Sequence, residues 1–517
     1  MFKTSFILSI LIILTSIGSV FAVSNAFTDV YLLPKWFCLF IGISSMLAYC
    51  GGILTMQKEC FHLDVHILCK CIVGICLIQA LLGIVQYLGL FGTLRNFPVV
   101  GSFDNPAGFV CCICAGIPLG YLFFKRKNPY HWLGLGIVFL AILLSNSRTG
   151  LISFFLIGII LFLQQSKINI KWKILLIIFF ILFCFGLITL YKTDSANGRM
   201  LIWKCSWEMI KENPFLGHGI GSFKANYMDY QATYFRTFST SEYAMLADNI
   251  NHPFNEYILL LVQFGLTGMI TLILFVVFLI ICYQRNPTTL GKSALLSLLA
   301  IGTCSLFSYP LKYPFVWFIL VWDCIIIVYY SRSKWNIPSF IKILTGISFL
   351  IFSIIISYRI ITQIQMESQW KNNLTTYQSS DKKLEKYECL LEGFHDNPYF
   401  LYNYSTELYY SKQYRKSLEM AFRCKEYWSD YDLEMLIGEN YRQQHEYSKA
   451  IKHFETASFM CPVKFTPLYR IFQIYKHSDA SQELCHIAKR IIYKPIKVES
   501  PFITRIKKEA EDIINRK

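Results

Sequence analysis

One polar stretch, residues 198–268, holds side chains that could transfer a proton and bind an anion. Within it His252 is followed by Pro253, and proline favours the first turn of a helix. We predict a helix that begins at Pro253, runs on through Asn255 and Glu256, and leaves His252 at its N-terminus. The positive end of the helix dipole disfavours the imidazolium there, so a neutral His252 is a candidate general base. The alternative is a histidine that only caps the helix backbone.

The same stretch contains a helix face with one cation among aromatic side chains. Arg199, Trp203 and Trp207 recur every four residues, which places them on one side of a helix. Asn213 and Pro214 should end that helix. Arg199 is therefore a candidate anion ligand, and the alternative is a cation that only packs on Trp203.

A second arginine lies in a loop too short to cross solvent. Residues 145–150 read Ser-Asn-Ser-Arg-Thr-Gly and join two hydrophobic segments, which leaves Arg148 at the edge of a membrane. An arginine at that depth either extends its guanidinium to lipid headgroups or holds an anion. Chemistry alone leaves both roles open.

The polar stretch contains neither a nucleotide-binding pattern nor a metal-binding pattern. Gly217, Gly219 and Gly221 lack a βαβ context and are interpreted as a tight turn. The acidic residues of the stretch form no Asp-x-Asp or Glu-x-Asp pair of the metal-binding kind. Glu256 is expected to cap its helix or to orient His252. We expect no cofactor and no metal.

Composition places most of the chain in a membrane. Of its 517 residues, 54% are hydrophobic and only 16% are charged, against roughly 25% charged residues in soluble domains. The net charge of +16 does not indicate nucleic-acid binding. Residues 361–517 contain 24 Lys and Arg against 21 Asp and Glu, which leaves 13 of the 16 net charges in the hydrophobic part. Short basic loops on the cytoplasmic side of a membrane explain such an excess.

Hydrophobic segments near the length of a bilayer crossing recur along residues 1–362. We predict an all-α, polytopic membrane helix bundle with about eleven spans, or twelve. The predicted segments are 4–26, 34–54, 67–90, 106–124, 131–145, 149–164, 172–191, 255–282, 293–310, 313–330 and 340–360. The first segment could also be a cleaved signal peptide.

Basic residues set the predicted orientation. Alternate loops are rich in lysine and arginine, as at Lys125, Lys171 and Lys292, and these loops are assigned to the cytoplasm. The other loops, with the long loop 192–254, then face outward. Their few basic residues include Lys35, Arg148 and Lys312. An odd number of spans also places the C-terminal domain outside.

The 18 cysteines do not indicate a metal framework. Most lie in hydrophobic segments, where cysteine behaves as a small apolar residue. Cys111 and Cys114 form a Cys-x-x-Cys without a second pair. Cysteines outside the segments, such as Cys205 and Cys461, leave a disulfide open without identifying a pair.

Three separated pieces of sequence together resemble one family. They are Gly-Ser-Phe-Asp-Asn-Pro at 101–106, the Arg148 loop at 145–150, and a long outward loop that carries Arg199, Gly-x-Gly and His252. In this order on a polytopic chain they resemble the O-antigen ligase/polymerase family, bacterial inner-membrane glycosyltransferases with a Wzy-type domain. The resemblance covers about residues 70–330.

The resemblance implies metal-independent glycosyl transfer at the periplasmic face of the inner membrane, in lipopolysaccharide or surface polysaccharide biosynthesis. The donor would be a glycan on undecaprenyl diphosphate, and the acceptor lipid A-core, another glycan or a protein hydroxyl. Arg148 and Arg199 would bind the diphosphate, and His252 would be the catalytic base. The supporting residues would be Trp203, Gly217, Gly219, Asn255 and Glu256. The family pattern places Asn directly after His, whereas here Pro253 and Phe254 intervene.

The chain changes character at about residue 363, where we predict a second domain, residues 363–517. Residues 431–462 have the spacing of a tetratricopeptide repeat, with Gly438, Tyr441, Ala450, Phe454, Ala457 and Pro462 at its offsets. Weaker copies lie at 398–430 and 465–492. A stack of about three repeats could hold a protein partner on its concave face, or act as a spacer or lid.

Several functions share these motifs. The motifs do not distinguish a ligase from a Wzy-type polymerase or a protein O-oligosaccharyltransferase. A non-catalytic export or assembly scaffold is a candidate of another class, and a flippase would need ionisable residues within its spans. Asp323 is the only acidic residue deep within a predicted span, so the pattern favours the enzyme.

Overall fold

The structure of the protein is a computed structural model. It describes residues 2–56, 64–90, 97–125, 127–164, 169–189, 193–238, 241–331, 338–377, 379–478 and 481–515. Regular secondary structure within these ranges is helical. The predicted all-α class is therefore confirmed for the described residues.

The helices fall into three groups along the chain. The first group is α1 (Phe2–Phe21), α2 (Leu33–Thr55), α3 (Val65–Tyr87), α4 (Pro106–Gly116), α5 (Pro129–Leu144), α6 (Arg148–Leu163) and α7 (Ile170–Thr189). The second is α8 (Thr193–Glu212), α9 (Ser222–Thr237), α10 (Glu256–Arg285), α11 (Thr289–Phe307), α12 (Pro314–Ser331) and α13 (Ser339–Thr375). The third is α14 (Ser380–Leu390), α15 (Pro398–Tyr410), α16 (Tyr414–Lys425), α17 (Tyr431–Gln443), α18 (Tyr447–Met460), α19 (Thr466–Lys476), α20 (Ser481–Tyr493) and α21 (Pro501–Asn515). Short 3₁₀ turns lie at Ile117–Leu122, Glu242–Met245 and Pro310–Lys312.

Each predicted hydrophobic segment coincides with one of the helices α1–α7 and α10–α13. Among the described residues, six helices are long and apolar enough to cross a membrane, namely α2, α3 and α10–α13. Shorter apolar helices lie at Phe6–Phe21, Pro106–Leu122, Pro129–Leu144 and Arg148–Leu163. The helix positions are confirmed, and the number of spans stays a prediction.

Polar side chains cap the N-termini of several apolar helices. Asp64 accepts hydrogen bonds from two backbone N–H groups at the start of α3, and Asn105 does the same for α4, which begins at Pro106 as predicted. Ser147 caps α6 through the N–H of Gly150. These caps satisfy N–H groups that have no partner inside the helix.

The described chain divides into two compact units. The first, here called the membrane unit, comprises residues 1–191, 254–256 and 272–376. The second, the polar unit, comprises residues 192–253, 257–271 and 377–517. The long loop 192–254 thus lies mostly in the same unit as the C-terminal helices, whereas the sequence predicts that it belongs to a transmembrane glycosyltransferase domain of residues 1–362.

Within the membrane unit, α13 runs antiparallel to α2 over small residues. A Cβ on Gly51 would lie 2.8 Å from the Gly346 carbonyl oxygen. Further along, Ser44 Oγ donates to the Ser353 carbonyl at 2.9 Å, and beyond the start of α2 Thr28 donates to Glu367. Small side chains allow this close approach of two membrane helices. The C-terminal part of α13 therefore lies beside the N-terminal end of α2.

That end of the membrane unit carries a network of polar groups, and we call it the polar end. The Lys35 ammonium is buried and donates to the carbonyls of Ala22, Tyr31 and Ser102, each at 2.9 Å. Lys312 forms an ion pair with Asp104 at 2.9 Å. Two basic residues predicted on outward loops thus have structural partners here.

In the polar unit, the C-terminal helices pack as hairpins. Ser405 of α15 and Ser417 of α16 exchange two hydrogen bonds of 2.8 Å, each hydroxyl to the other residue's carbonyl. A Cβ on Gly438 of α17 would lie 2.5 Å from the Phe454 ring of α18. Such contacts are typical of antiparallel helix pairs. The assignment of these pairs as tetratricopeptide repeats stays a prediction.

A half-buried lysine gives the polar unit an expected pH dependence. Burial, with a smaller effect of the Arg490 charge, lowers the pKa of Lys494 from 10.5 to about 7. Its ammonium donates to the Lys464 carbonyl at 2.8 Å. The folded state binds fewer protons than the unfolded state between these values, so stability should rise as pH increases from about 7 to about 10. Thermal unfolding of the full chain across this range should show the rise, and Lys494→Met should flatten it.

Lys497→Met is the matched control because Lys497 is exposed. It should keep the wild-type slope of melting temperature against pH. An unchanged slope in Lys494→Met would show that other groups cause the pH dependence.

Candidate functional site

The predicted Arg199 face lies on α8, which ends at Glu212 directly before Asn213 and Pro214, as expected. Arg199 and Trp203 are half-buried. Trp207 is 54% exposed. Since residues four apart are neighbours on a helix, Arg199 lies one turn from Trp203 on the same side of α8.

The prediction that a helix begins at Pro253 is wrong. Helix α10 begins at Glu256, and Phe254 has a left-handed backbone with φ of 54°. The Pro253 carbonyl accepts a hydrogen bond from the Trp203 indole N–H at 3.0 Å. His252 therefore precedes a non-helical segment, and the helix-dipole argument for its neutral form does not apply.

The same indole contact relates two predicted site residues. Trp203 is one turn from Arg199, and its N–H is bonded to the residue that follows His252. The polar unit thus holds the segment around His252 against the helix face that carries Arg199. Sequence spacing gave no indication of this contact.

The glycines form the predicted tight turn, which pairs with an interrupted part of α10. Gly217 and Gly219 have φ of 70° and 92°. The N–H groups of His218 and Gly219 donate to the carbonyls of Val262 and Gln263, each at 2.9 Å. A Cβ on Gly217 would lie 2.4 Å from the Gln263 backbone. Glycine is required there because two backbones meet directly.

On α10 the matching position is Gly265, with φ of 59° and ψ of −154°. The N–H of the next residue, Leu266, donates to the Pro214 carbonyl at 2.8 Å. The turn therefore satisfies backbone groups that the break in α10 leaves without helical partners.

Gly265→Ala should destabilise the protein, because a Cβ would lie 2.5 Å from the Phe215 backbone and the positive φ disfavours alanine. Strain of this kind costs about 1–3 kcal/mol. Thermal unfolding in detergent should show a lower midpoint. Gly158→Ala in α6 is the control, since a Cβ there meets nothing within 4 Å. Equal midpoints for the two variants would contradict the prediction.

Asn255 and Glu256 belong to the membrane unit. Asn255 is buried, with 9% of its surface exposed. Glu256 accepts a hydrogen bond from the Leu311 N–H at 3.2 Å. This bond joins the start of α10 to the turn before α12, and the predicted orientation of His252 by Glu256 stays a prediction.

Arg148 is the first residue of α6 and is half-buried. A Cβ on nearby Gly150 would lie 2.3 Å from Val110, which is one turn into α4. Helix α4 begins at the polar end, where Asn105 donates to the Tyr309 hydroxyl at 2.7 Å. Arg148 and Glu256 therefore lie at the same end of the membrane unit.

The partners of Lys312 at this end were not predicted from the sequence. Tyr313 donates to Asp104 at 3.0 Å, beside the Lys312 ion pair. Tyr309 and Tyr313 flank Lys312 in the sequence, and this aromatic pair around an outward lysine was the available signal.

With this geometry established, a family model described as O-Antigen ligase matches residues 133–273. The match supports the resemblance of this chain to the O-antigen ligase family. It indicates a glycosyl-transferring membrane enzyme of the O-antigen ligase or polymerase type. Together with the described apolar helices, it indicates a multi-pass membrane protein.

A second similarity is to mucolipin-3. The proteins from Callithrix jacchus and Homo sapiens are each 32% identical to this chain over 100 residues, and the protein from Mus musculus is 31% identical over 100 residues. The matched segment is 19% of this chain and 18% of the length of these curated relatives. The similarity thus spans less than a fifth of the length of these relatives.

The O-antigen ligase match includes every predicted site residue, from Arg148 to Glu256. The structure places Arg199, Trp203, Gly217 and His252 in the polar unit, and Arg148, Asn255 and Glu256 in the membrane unit. The convergence of Arg148 with Arg199 and His252 stays a prediction.

The described thiols are free. Burial raises the pKa of Cys205 and of Cys461 to about 12, so both thiols remain protonated and unreactive. Among the residues that the structure describes, no three His, Cys, Asp or Glu side chains are grouped as metal ligands.

Proposed function

We propose that this protein is an O-antigen ligase-type glycosyltransferase that moves a glycan from undecaprenyl diphosphate to an acceptor hydroxyl. The observation that carries the proposal is the match of residues 133–273 to the O-antigen ligase family. That range contains the two arginines and the histidine that the sequence resemblance assigned to the reaction.

His252 acts as the general base. It takes the proton of the acceptor hydroxyl while that oxygen attacks the anomeric carbon of the donor sugar. The bond between the anomeric carbon and the diphosphate oxygen breaks on the opposite face, and its electron pair leaves with the lipid diphosphate. One carbon–oxygen bond forms and one breaks, so the reaction needs no oxidant or reductant.

Arg148 and Arg199 bind the diphosphate. A guanidinium forms bidentate hydrogen bonds with phosphate oxygens, and it stabilises the negative charge that develops on the leaving group. These cations replace a metal ion in the proposal, which is why we expect transfer to continue in EDTA.

An apolar cavity in the membrane unit supports the proposal that the donor is linked to a lipid. Its volume is about 700 Å³, and it is lined by side chains of α1, α2, α3 and α12, among them Trp36, Phe40, Trp317 and Trp322. An apolar lining of this kind suits a polyprenyl chain, because burial of hydrocarbon surface is favourable.

The proposed location is the bacterial inner membrane, with the reaction at the periplasmic face. The support is the predicted orientation, in which basic loops face the cytoplasm and the loop with Arg199 and His252 faces outward. The C-terminal helices would then also lie in the periplasm.

The test is reconstitution of the purified chain in proteoliposomes with a defined undecaprenyl-diphosphate glycan, in buffer that contains EDTA. Three acceptors are offered separately: lipid A-core, the same lipid-linked glycan, and a peptide with a serine or threonine hydroxyl. Transfer to lipid A-core supports the ligase. Elongation of the glycan instead assigns a polymerase, and modification of the peptide a protein O-oligosaccharyltransferase. The absence of any transfer would favour an assembly scaffold.

A further inference from the structure

The segment immediately before His252 is held by the C-terminal helices. We call residues 248–251 the anchor segment. Asn251 Oδ1 accepts a hydrogen bond from the Trp428 indole N–H at 3.1 Å, and Asn249 Oδ1 accepts one from the Tyr431 backbone N–H at 3.1 Å. Trp428 lies in the turn between α16 and α17, and Tyr431 is the first residue of α17. The anchor segment is therefore bonded to a part of the chain far away in sequence.

A buried glutamine makes a second link between the anchor segment and these helices. Gln231 of α9 is fully buried, and its amide donates to the Asp248 carbonyl at 3.1 Å and to the Met460 carbonyl at 2.7 Å. Its amide oxygen accepts a hydrogen bond from the Tyr227 hydroxyl at 2.8 Å. A buried polar network with its partners in place is rigid.

The indole that holds Asn251 is itself fixed. Trp428 is 8% exposed, and its ring contacts Tyr399 and Tyr402 with centroids 5.3 and 5.6 Å away. The neighbouring Ser429 N–H donates to the Lys224 carbonyl at 3.1 Å. The Lys224 ammonium lies 3.8 Å from the centre of the Tyr399 ring. Trp428 is thus packed against two aromatic rings and donates its N–H to the anchor segment.

His252 consequently lies between two residues that are each fixed by an indole. Asn251, which precedes it, is bonded to Trp428, and Pro253, which follows it, is bonded to Trp203 at 3.0 Å. The backbone of the histidine therefore has little freedom to move. Both contacts, one from the loop and one from the C-terminal helices, set the backbone position from which its imidazole projects.

We propose that Trp428 is a positioning residue for His252, and that the C-terminal helices are in this way part of the transferase site. The inference rests on the proposed function, in which His252 is the base. Trp428 acts through Asn251 and not on the substrate. Displacement of a catalytic group by about 1 Å can cost 10²-fold in rate, so loss of this contact affects the rate of transfer more than donor binding.

The experiment compares two variants of the full chain in proteoliposomes. Trp428→Phe keeps an aromatic ring and removes the N–H, and Asn251→Ala removes its acceptor. Each should lower kcat by about 10- to 100-fold with little change in the KM for the lipid-linked glycan. The double variant should lose no more than the stronger single variant, because both changes break one contact. Full additivity would overturn the inference.

Tyr427→Phe is the matched control, since Tyr427 lies on the same turn and is 37% exposed. It should keep the wild-type kcat. Circular dichroism and gel filtration identify any variant that does not fold. If Trp428→Phe fails to fold, Asn251→Ala carries the test alone, because it changes only the acceptor side chain of the contact and leaves Trp428 in place.

A second comparison separates this inference from the proposed function. In a His252→Ala background, Trp428→Phe should cause no further loss, whereas a full additional loss would show that the tryptophan acts on another group. If His252→Ala keeps the wild-type rate, the assignment of the base fails. If His252→Ala is slow and Trp428→Phe has the wild-type kcat, only the positioning role fails.

Discussion

Replacing His252 with alanine is expected to lower the rate of glycosyl transfer by about 10²- to 10⁴-fold, the range that general-base catalysis contributes. The base takes the acceptor proton only as the new bond forms, so kcat should fall while the KM for the donor stays near its wild-type value. The measurement is single-turnover transfer from the undecaprenyl-diphosphate glycan to its best acceptor in proteoliposomes.

The control for this prediction is His477→Ala. His477 is an exposed histidine that follows α19 in the C-terminal helices, so its loss should leave transfer unchanged. A wild-type rate in His252→Ala would remove the histidine from the reaction and leave it as a structural residue of the loop.

Arg199→Ala and Arg148→Ala are each expected to lower kcat by about 10²- to 10³-fold, as removal of one group that stabilises a developing oxyanion does in other enzymes. Lysine at either position should recover part of the rate. It restores the charge, but it cannot form the bidentate contact of a guanidinium with phosphate oxygens. Transfer rates and donor affinity should be measured together for the alanine and lysine variants.

The Arg199→Met variant distinguishes a role of Arg199 in diphosphate binding from a role in packing. The Met side chain retains an apolar stem beside Trp203, one turn away on α8, so a purely structural Arg199 would tolerate it. We expect Arg199→Met to be as slow as Arg199→Ala. Arg415→Ala, at an exposed position of α16, controls for the loss of one positive charge and should leave the rate unchanged.

The helices of this protein were predictable because their signals are local. A hydrophobic run of bilayer length indicates a helix at that place in the chain. Asn105-Pro106 and Asn213-Pro214 each mark a helix boundary, because the hydrogen bonds involved join residues only a few positions apart. As these residues indicated, helix α4 begins at Pro106 and helix α8 ends directly before Asn213. The glycine turn was predictable for the same reason, since left-handed backbone at Gly217 and Gly219 favours glycine.

The conformation around His252 was not predictable in this way. Pro253 is compatible with a helix start, but its carbonyl is bonded to Trp203 and the next residue, Phe254, adopts a left-handed backbone. The helix begins three residues later than expected. A tertiary hydrogen bond outweighed a local preference, and local preferences are weak where such bonds are available.

By itself, then, the sequence determined the all-helical class, the positions of the apolar helices and the order of the polar motifs that resemble the O-antigen ligase family. These features depend on residues that are close together in the chain. Only the tertiary structure decided which residues hold the His252 segment, since Trp203, Gln231 and Trp428 reach it from three separate helices or turns. Hydrogen bonds between distant residues require a defined fold, and no spacing in the sequence specifies their partners.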